Sequence, residues 1–342
     1  MDKIAIIGTG LIGGSLGMAL KKAKLKNVEI VAHDKEPSAA SKAVKRGAAD
    51  KSSWNLIAAV EKAGIVIIAT PVMAIGDVMK TIAPHLQPNC VVTDTGSTKT
   101  QVLAWAEQYL PATVSFVGGH PMAGKELSGI DAAEAGLFQG AAYCIIPGKN
   151  APPEAVKTVV GLAEIAGAKP FFLDPQEHDS FVAAVSHLPL VVSSALTSAT
   201  TGSPSWREMG RLASSGYRDV TRLASGDPEM NRDICLTNKD NIVPWINALI
   251  RELQEYRRML MEANDQLGPA FTRVHEARQR WLGGSFEPSP SSKAFEEIPG
   301  MGERMAGLFV GDRLARRSKE LMGDADGKGQ KKPGDLPPAP KK

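Results

Sequence analysis

The chain has 342 residues, 43% of them hydrophobic, and a formal net charge of +3, much of which sits in the C-terminal tail. That length accommodates two domains with sizeable cores, and so small a charge offers no basic face for nucleic acid. The three well-separated cysteines, Cys90, Cys144 and Cys235, follow no metal-ligand spacing, so no metal is expected and buried thiols of a reducing compartment are.

The first element is the short apolar run Ile4–Ile7, a buried strand; Leu16, Met18, Ala19 and Leu20 then open a helix. The strand starts almost at the first residue, so no secretory leader is expected and the protein is placed in the cytoplasm. Between strand and helix stands G-x-G-x-x-G. Gly8 allows the tight turn, Gly10 lets backbone approach a pyrophosphate, and Gly13 lets helix and strand pack closely. The helix N-terminus presents unpaired N–H groups to phosphates. A second strand, Val28–Ala32, runs to Asp34, about twenty residues beyond the glycines, where a ribose hydroxyl needs an acid. A carboxylate there accepts from a free 2′-hydroxyl and repels a 2′-phosphate, so NAD is expected over NADP, with Lys35 able to soften that repulsion.

Further strands are expected at Ile65–Thr70, Cys90–Asp94, Val114–Gly118, Ala142–Pro147 and Pro170–Leu173, with helical patterns between most of them. This alternation argues for an α/β fold with a doubly wound parallel sheet and later additions. Thr70 and Pro71 close the third major strand and face the same crevice as the glycine loop. The candidate cofactor contacts are therefore Gly8, Gly10, Leu11, Ile12, Gly13, Asp34, Thr70 and Pro71.

After Asp174-Pro175 no strand pattern recurs, and helical periods dominate to about Trp281. Ala183 to Ala199 is apolar nearly all round, as in a helix buried on several sides, and Pro189 should kink or end its first half. No apolar run approaches the roughly twenty residues of a membrane span, so no membrane partner is expected. So much enclosed apolar surface is expected to be shared with a second copy as a homodimer. The division expected is residues 1–175 for the dinucleotide-binding domain and 176–283 for the helical domain. A C-terminal extension, 284–342, carries one short helical pattern and is expected to be disordered from about 323, where Gly, Pro, Lys and Asp dominate.

Four segments carry groups capable of chemistry. Thr93 to Lys99 ends a strand at the mouth of the crevice, where Ser97 could bond a reacting group or cap the following helix. His120, between glycines and Pro121 just after a strand, suits a general base, although a lone histidine is more often structural. His178 and Asp179 read as caps of the first helix of the second domain, and His187 as a core histidine. Arg218 and Arg222 around Asp219 read either as a surface ion-pair set or as a carboxylate anchor, for which the guanidinium fork is suited.

In order, the motifs G-T-G-L-I-G-G-S, D-T-G-S-T-K, G-G-H-P-M-A-G, S-H-L-P and S-S-G-Y-R-D-V-T-R span Lys3 to about Met261. With them the chain resembles the prephenate dehydrogenases and related arogenate dehydrogenases of tyrosine biosynthesis. The resemblance implies an N-terminal Rossmann domain with a C-terminal all-helical dimerisation domain, NAD as cofactor, and oxidative decarboxylation of prephenate to 4-hydroxyphenylpyruvate. It further implies that His120 accepts the proton of the C4 hydroxyl, that Ser97 orients that hydroxyl and the histidine, and that Arg222 binds the ring carboxylate. His187, Glu126 and Asp219 match residues that line or brace the substrate pocket.

The sequence departs from prephenate-specific relatives at Leu190, where a second histidine often follows S-H-L-P. It departs again at Asn231, where some relatives contribute an aromatic residue across the dimer. Both positions bear on prephenate against arogenate, which differ only in a pyruvyl or amino acid side chain. No fused chorismate mutase or ACT regulatory domain is evident. A 3-hydroxyacid dehydrogenase would need a catalytic lysine in the second domain, for which no well-placed candidate stands. A dinucleotide sensor without catalysis would keep Gly8, Gly10, Gly13 and Asp34 but have no use for His120, Ser97 and Arg222 together.

Overall fold

In the computed structural model, residues 2–262 and 265–286 are described. The short helical pattern and the tail expected after residue 286 lie outside them.

The chain alternates β1 (Asp2–Ile7), α1 (Leu11–Lys22), β2 (Val28–His33), α2 (Pro37–Lys45), β3 (Lys51–Ser52), α3 (Leu56–Val60), β4 (Ile65–Ile68), α4 (Val72–Ile82), β5 (Val91–Asp94) and α5 (Thr100–Tyr109). It continues with β6 (Ser115–Pro121), β7 (Ala142–Pro147), α6 (Pro153–Ile165) and β8 (Lys169–Phe172). The eight strands form one sheet in the order β3-β2-β1-β4-β5-β6-β7-β8. The apolar runs are buried on both faces, as parallel strands between helices must be. Ile4 and Ile6 enter the core under α1 and α6, while Ala5 and Ile7 enter the core under α4 and α5. Each fully buried Ile or Leu contributes about 1.5–3 kcal/mol, so burial on both faces holds β1 in the interior of the sheet.

The sheet is mixed where a parallel one was expected. β7 runs antiparallel to β6, with His120 opposite Cys144. The reason is the connection: residues 122–141 hold only a 3₁₀ turn, Ile130–Ala132, and no crossover helix, so the chain turns back beside the strand it left. This pairing also lengthens β6 from Gly118 to Pro121 and draws His120 into the strand end.

From residue 175 the described chain is helical: α7 (Pro175–Val182), α8 (Leu188–Thr201), α9 (Trp206–Leu212), α10 (Ser215–Thr221), α11 (Pro228–Thr237), α12 (Lys239–Met261) and α13 (Leu267–Leu282). Pro189 does not break the path. A π-helical turn, Ala183–His187, joins α7 to α8, and its wider spacing absorbs the missing N–H and the ring clash that proline brings.

Two readings of this stretch change. By length and composition, the 27-residue helix Pro175–Thr201 is apolar enough to cross a membrane, contrary to expectation. Nor is it enclosed within one chain: Val185 is 70% exposed, and α8 fully buries only Leu190 and Ser193. Its first turns bury His178 and Asp179 among polar partners.

Candidate active site

The sheet order reverses between β1 and β4, and the crevice at their carboxyl ends is where such folds bind ligands. Gly8 takes φ of +90°, and a Cβ on it would lie 2.5 Å from the Ala69 carbonyl oxygen. A Cβ on Gly13 would meet the Gly8 oxygen at 2.0 Å, so only glycine lets α1 start this close to β1. A Cβ on Gly10 would meet nothing within 4 Å, which leaves a cradle open over the loop. No acidic residue stands in the first turn of α1, so its N–H groups face the cradle uncompensated.

Asp34 is fixed rather than loose. Its Oδ2 accepts from the Thr9 backbone N–H at 2.7 Å and from the Thr9 hydroxyl at 2.9 Å, and its Oδ1 accepts from Glu36 N–H at 3.0 Å. The carboxylate thus ties the loop to β2 with lone pairs left for a ribose. Across the crevice, the Thr70 hydroxyl is buried without a partner, Pro71 stands before α4, and Leu11 and Ile12 are half-buried at the start of α1. An orphaned hydroxyl, an open cradle and an ordered acid fit a dinucleotide.

At the neighbouring strand ends, three side chains form a chain of hydrogen bonds. His120 Nδ1 lies 2.9 Å from His178 Nε2, and His178 Nδ1 lies 2.8 Å from Asp179 Oδ1. A carboxylate accepts only, so His178 carries its proton on Nδ1 and presents a bare Nε2. His120 must then donate from Nδ1, which leaves its Nε2 as a lone pair. Asp179 so fixes, through one intermediate ring, the tautomer a general base requires. Neither His178 nor Asp179 caps α7, as their position suggested. Asp174 does so, its Oδ1 accepting from Glu177 N–H at 2.8 Å.

Asp179 instead caps α5 from a distance. Its Oδ1 accepts from Lys99 N–H at 2.7 Å and its Oδ2 from Thr100 N–H at 2.9 Å. Ser97 is therefore not the cap of that helix. It is half-buried, and its hydroxyl makes no hydrogen bond among the described residues. Beneath it Lys99 and Asp94, both fully buried, form an ion pair. Asp94 also accepts from Gly96 N–H at 2.7 Å and from Gly119 N–H at 3.3 Å. A buried pair must satisfy its remaining lone pairs in this way to be tolerated, and here it stitches β5 to the residue before His120.

His187 lies in the π turn, 1% exposed, with Nε2 buried and unpartnered. The Ser97 backbone is close enough to favour its protonated form, and His187 in turn acts electrostatically on His120, so these three residues converge. Arg222, at the start of a 3₁₀ turn after α10, pairs with Glu126 from the β6–β7 connection. Asp219 is not drawn in: it is exposed on α10 and forms no ion pair among the described residues. Leu190 is buried within α8, and Asn231 sits near the start of α11, its amide against Gly226.

All three histidines are held neutral. Burial pushes His120 well below its ordinary 6.5, with His178, Lys99 and His187 adding to the effect. His178 is lowered by burial against the pull of Asp179, and burial brings His187 down to about 4. Two consequences are measurable. A bare His120 persists below pH 6.5, so kcat/KM should stay level from neutral pH to well under that value. Stability should move the other way. Between 6.5 and the folded values the unfolded chain binds protons that the folded chain refuses, so stability is lost as pH falls, by about 1.4 kcal/mol per group per pH unit. Urea midpoints at pH 7.5, 6 and 5 should decline in that order; a constant midpoint would mean the rings are not held neutral.

Lys99, His178, Asp179 and Asn238 were not singled out by sequence as members of the site. The signal available was the run Glu177-His178-Asp179, read there as a helix start.

Two family models match the chain. The model described as prephenate dehydrogenase, nucleotide-binding domain, matches residues 16–171, and that described as prephenate dehydrogenase, dimerization domain, matches residues 174–273. A prephenate dehydrogenase of Bacillus subtilis is 38% identical over 258 residues, covering 75% of this chain and 69% of the relative. The crystal structure of prephenate dehydrogenase from A. aeolicus in complex with hydroxyphenyl propionate and NAD+ superposes with a TM-score of 0.75 at 29% identity, over 82% of this chain and 98% of that one. Synechocystis arogenate dehydrogenase gives 0.68 at 30% identity, over 82% and 99%.

Proposed function

The chain belongs to the prephenate dehydrogenase family, and from that premise we propose that it converts prephenate to 4-hydroxyphenylpyruvate and carbon dioxide in tyrosine biosynthesis. The observation that carries this reading is the chain His120–His178–Asp179, which joins the end of β6 to α7 in the sheet that also carries the glycine loop. Bound NAD+ supplies the hydride acceptor for C4 of the substrate ring. His120 Nε2 takes the proton of the C4 hydroxyl as the carbonyl forms, and the resulting imidazolium is stabilised through His178 by the Asp179 carboxylate. Ser97, its hydroxyl uncommitted, orients the C4 hydroxyl toward His120. As the ring carboxylate leaves as carbon dioxide, its bonding pair enters the ring and turns the C4 carbonyl into a phenolate, which takes a proton back to give the hydroxyl; the aromaticity gained drives the step forward.

Arg222 holds that carboxylate through its guanidinium fork. Its present partner Glu126 is half-exposed, and such pairs are worth only about 0–1 kcal/mol, so a substrate carboxylate displaces it at little cost. Arg222→Ala should raise KM for prephenate by about 10- to 100-fold, the loss of a charge-assisted hydrogen bond, with a smaller change in kcat. An unchanged KM would remove Arg222 from the binding role.

Asp34 supports NAD over NADP. The cofactor unit is taken as residues 1–175 and the helical unit as 176–283. The matched dimerization domain and the exposed Val185, Val220, Val243 and Leu253 support a homodimer in which a second copy, not lipid, covers the apolar helices. Such a covered dimer supports reading the protein as a soluble, cytoplasmic enzyme. Arogenate as substrate is the second reading, favoured by Leu190 where a histidine often stands. Initial rates with prephenate and arogenate, each with NAD and NADP, test all of this. Prephenate with NAD should be fastest; a higher kcat/KM on arogenate would transfer the assignment, and no reduced cofactor from either would sink it.

A further inference from the structure

We propose that Asn238 is a positioning residue that holds His187 with its proton on Nε2, making that ring a hydrogen-bond donor toward an oxygen acceptor of the bound substrate. The argument starts from the amide. Asn238 is 3% exposed, at the junction of α11 and α12. Its Nδ2 donates to the Asp179 backbone carbonyl at 2.7 Å, and its Oδ1 accepts from Asn241 Nδ2 at 2.8 Å. A flipped amide would set its oxygen against the Asp179 carbonyl oxygen, acceptor to acceptor, so the orientation is fixed. The second hydrogen of Nδ2 points to His187 Nδ1, 3.1 Å away.

An N–H donor facing Nδ1 requires a lone pair there, and a neutral imidazole then carries its hydrogen on Nε2. That nitrogen is the buried atom with no partner, in a ring 1% exposed. The Ser97 backbone lies near enough to act on the ring but makes no hydrogen bond to Nε2, and an under-satisfied buried N–H costs up to about 1–3 kcal/mol, so an added acceptor at that nitrogen completes the site. His120 and His187 are thus wired oppositely through the side chain and backbone of one residue. The Asp179 carboxylate leaves His120 with a bare Nε2, and the Asp179 carbonyl, through Asn238, leaves His187 with a protonated one. The base takes a proton from substrate; the donor binds a carbonyl or carboxylate oxygen and disfavours an ammonium at the same place.

The tautomer stands on this geometry alone, whereas the substrate acceptor rests on the prephenate reading, and the experiment separates them. Nitrogen-15 NMR of the full chain, labelled at its six histidines, reads the tautomer directly, the His187 signals being identified by their loss in His187→Gln. At pH 7 a protonated Nε2 and a bare Nδ1 are expected; a protonated Nδ1, or exchange between the two forms, overturns the proposal. Asn238→Asp puts an acceptor where the donor stood. It should move the proton to Nδ1 and lower kcat/KM for prephenate about 10- to 100-fold. An unchanged His187 spectrum in that folded variant also overturns the proposal. Should the variant not fold, the spectrum of the unsubstituted chain decides. A chain inactive on prephenate but with Nε2 of His187 protonated would support the tautomer while refuting the substrate reading.

Discussion

His120→Ala is expected to lower kcat by about 10²- to 10⁴-fold while prephenate still binds, the range associated with loss of a positioned general base. The magnitude follows from how much of the surrounding structure serves this one ring. Pairing with β7 holds its backbone in the sheet, Asp94 holds the preceding residue, and His178 holds Nδ1. The substitution deletes the base and its bond to His178 but leaves the Lys99–Asp94 ion pair and the His178–Asp179 bond in place, so the fold should survive. Single-turnover absorbance of NADH, with prephenate affinity measured separately by quenching or calorimetry, distinguishes loss of chemistry from loss of binding. Near-normal turnover would show that the proton leaves by another route.

Asp179→Asn is expected to lower kcat by about 10²- to 10³-fold. The amide is almost the same shape, but it carries one acceptor where the carboxylate has two. With its oxygen toward His178 and Lys99, the NH₂ faces the Thr100 N–H, donor to donor; turned over, the NH₂ faces His178 Nδ1 and the Lys99 N–H. In the second orientation His178 must carry its proton on Nε2, His120 must accept at Nδ1, and the catalytic Nε2 becomes protonated. Replacing the carboxylate that directly contacts a catalytic histidine costs about 10⁴-fold in the serine-protease case. The smaller figure here reflects the intervening ring. The variant also leaves a buried donor unmatched and should lose about 1–3 kcal/mol of stability. A folded variant with ordinary kcat would show that Asp179 braces α5 and nothing more.

Legibility differed sharply between the two halves. Gly8, Gly10, Gly13 and Asp34 were readable because their roles are local: a turn, a close approach and a strand end lie within one βαβ unit. His120 and Ser97 were readable as candidates but not as partners. Whether Ser97 capped a helix depended on Asp179, which lies 80 residues beyond Lys99 and takes that task. His178 looked like a helix cap because the competing cap, Asp174, could not be weighed without its geometry. The antiparallel β7 escaped notice because an apolar run has the same pattern in either direction; only the absence of a crossover helix sets the direction.

By itself the sequence determined the alternation of strands and helices, the dinucleotide crevice and the change to an all-helical second half. Each of these follows from periodicity and backbone chemistry over short spans. Tertiary structure alone decided which histidine gives and which accepts a proton, because hydrogen-bond polarity depends on partners from distant elements. It likewise decided that Lys99 is buried against Asp94, that Arg222 meets Glu126 and that the long apolar helix stays open on one side. Packing, which no local pattern encodes, brings those groups within bonding distance.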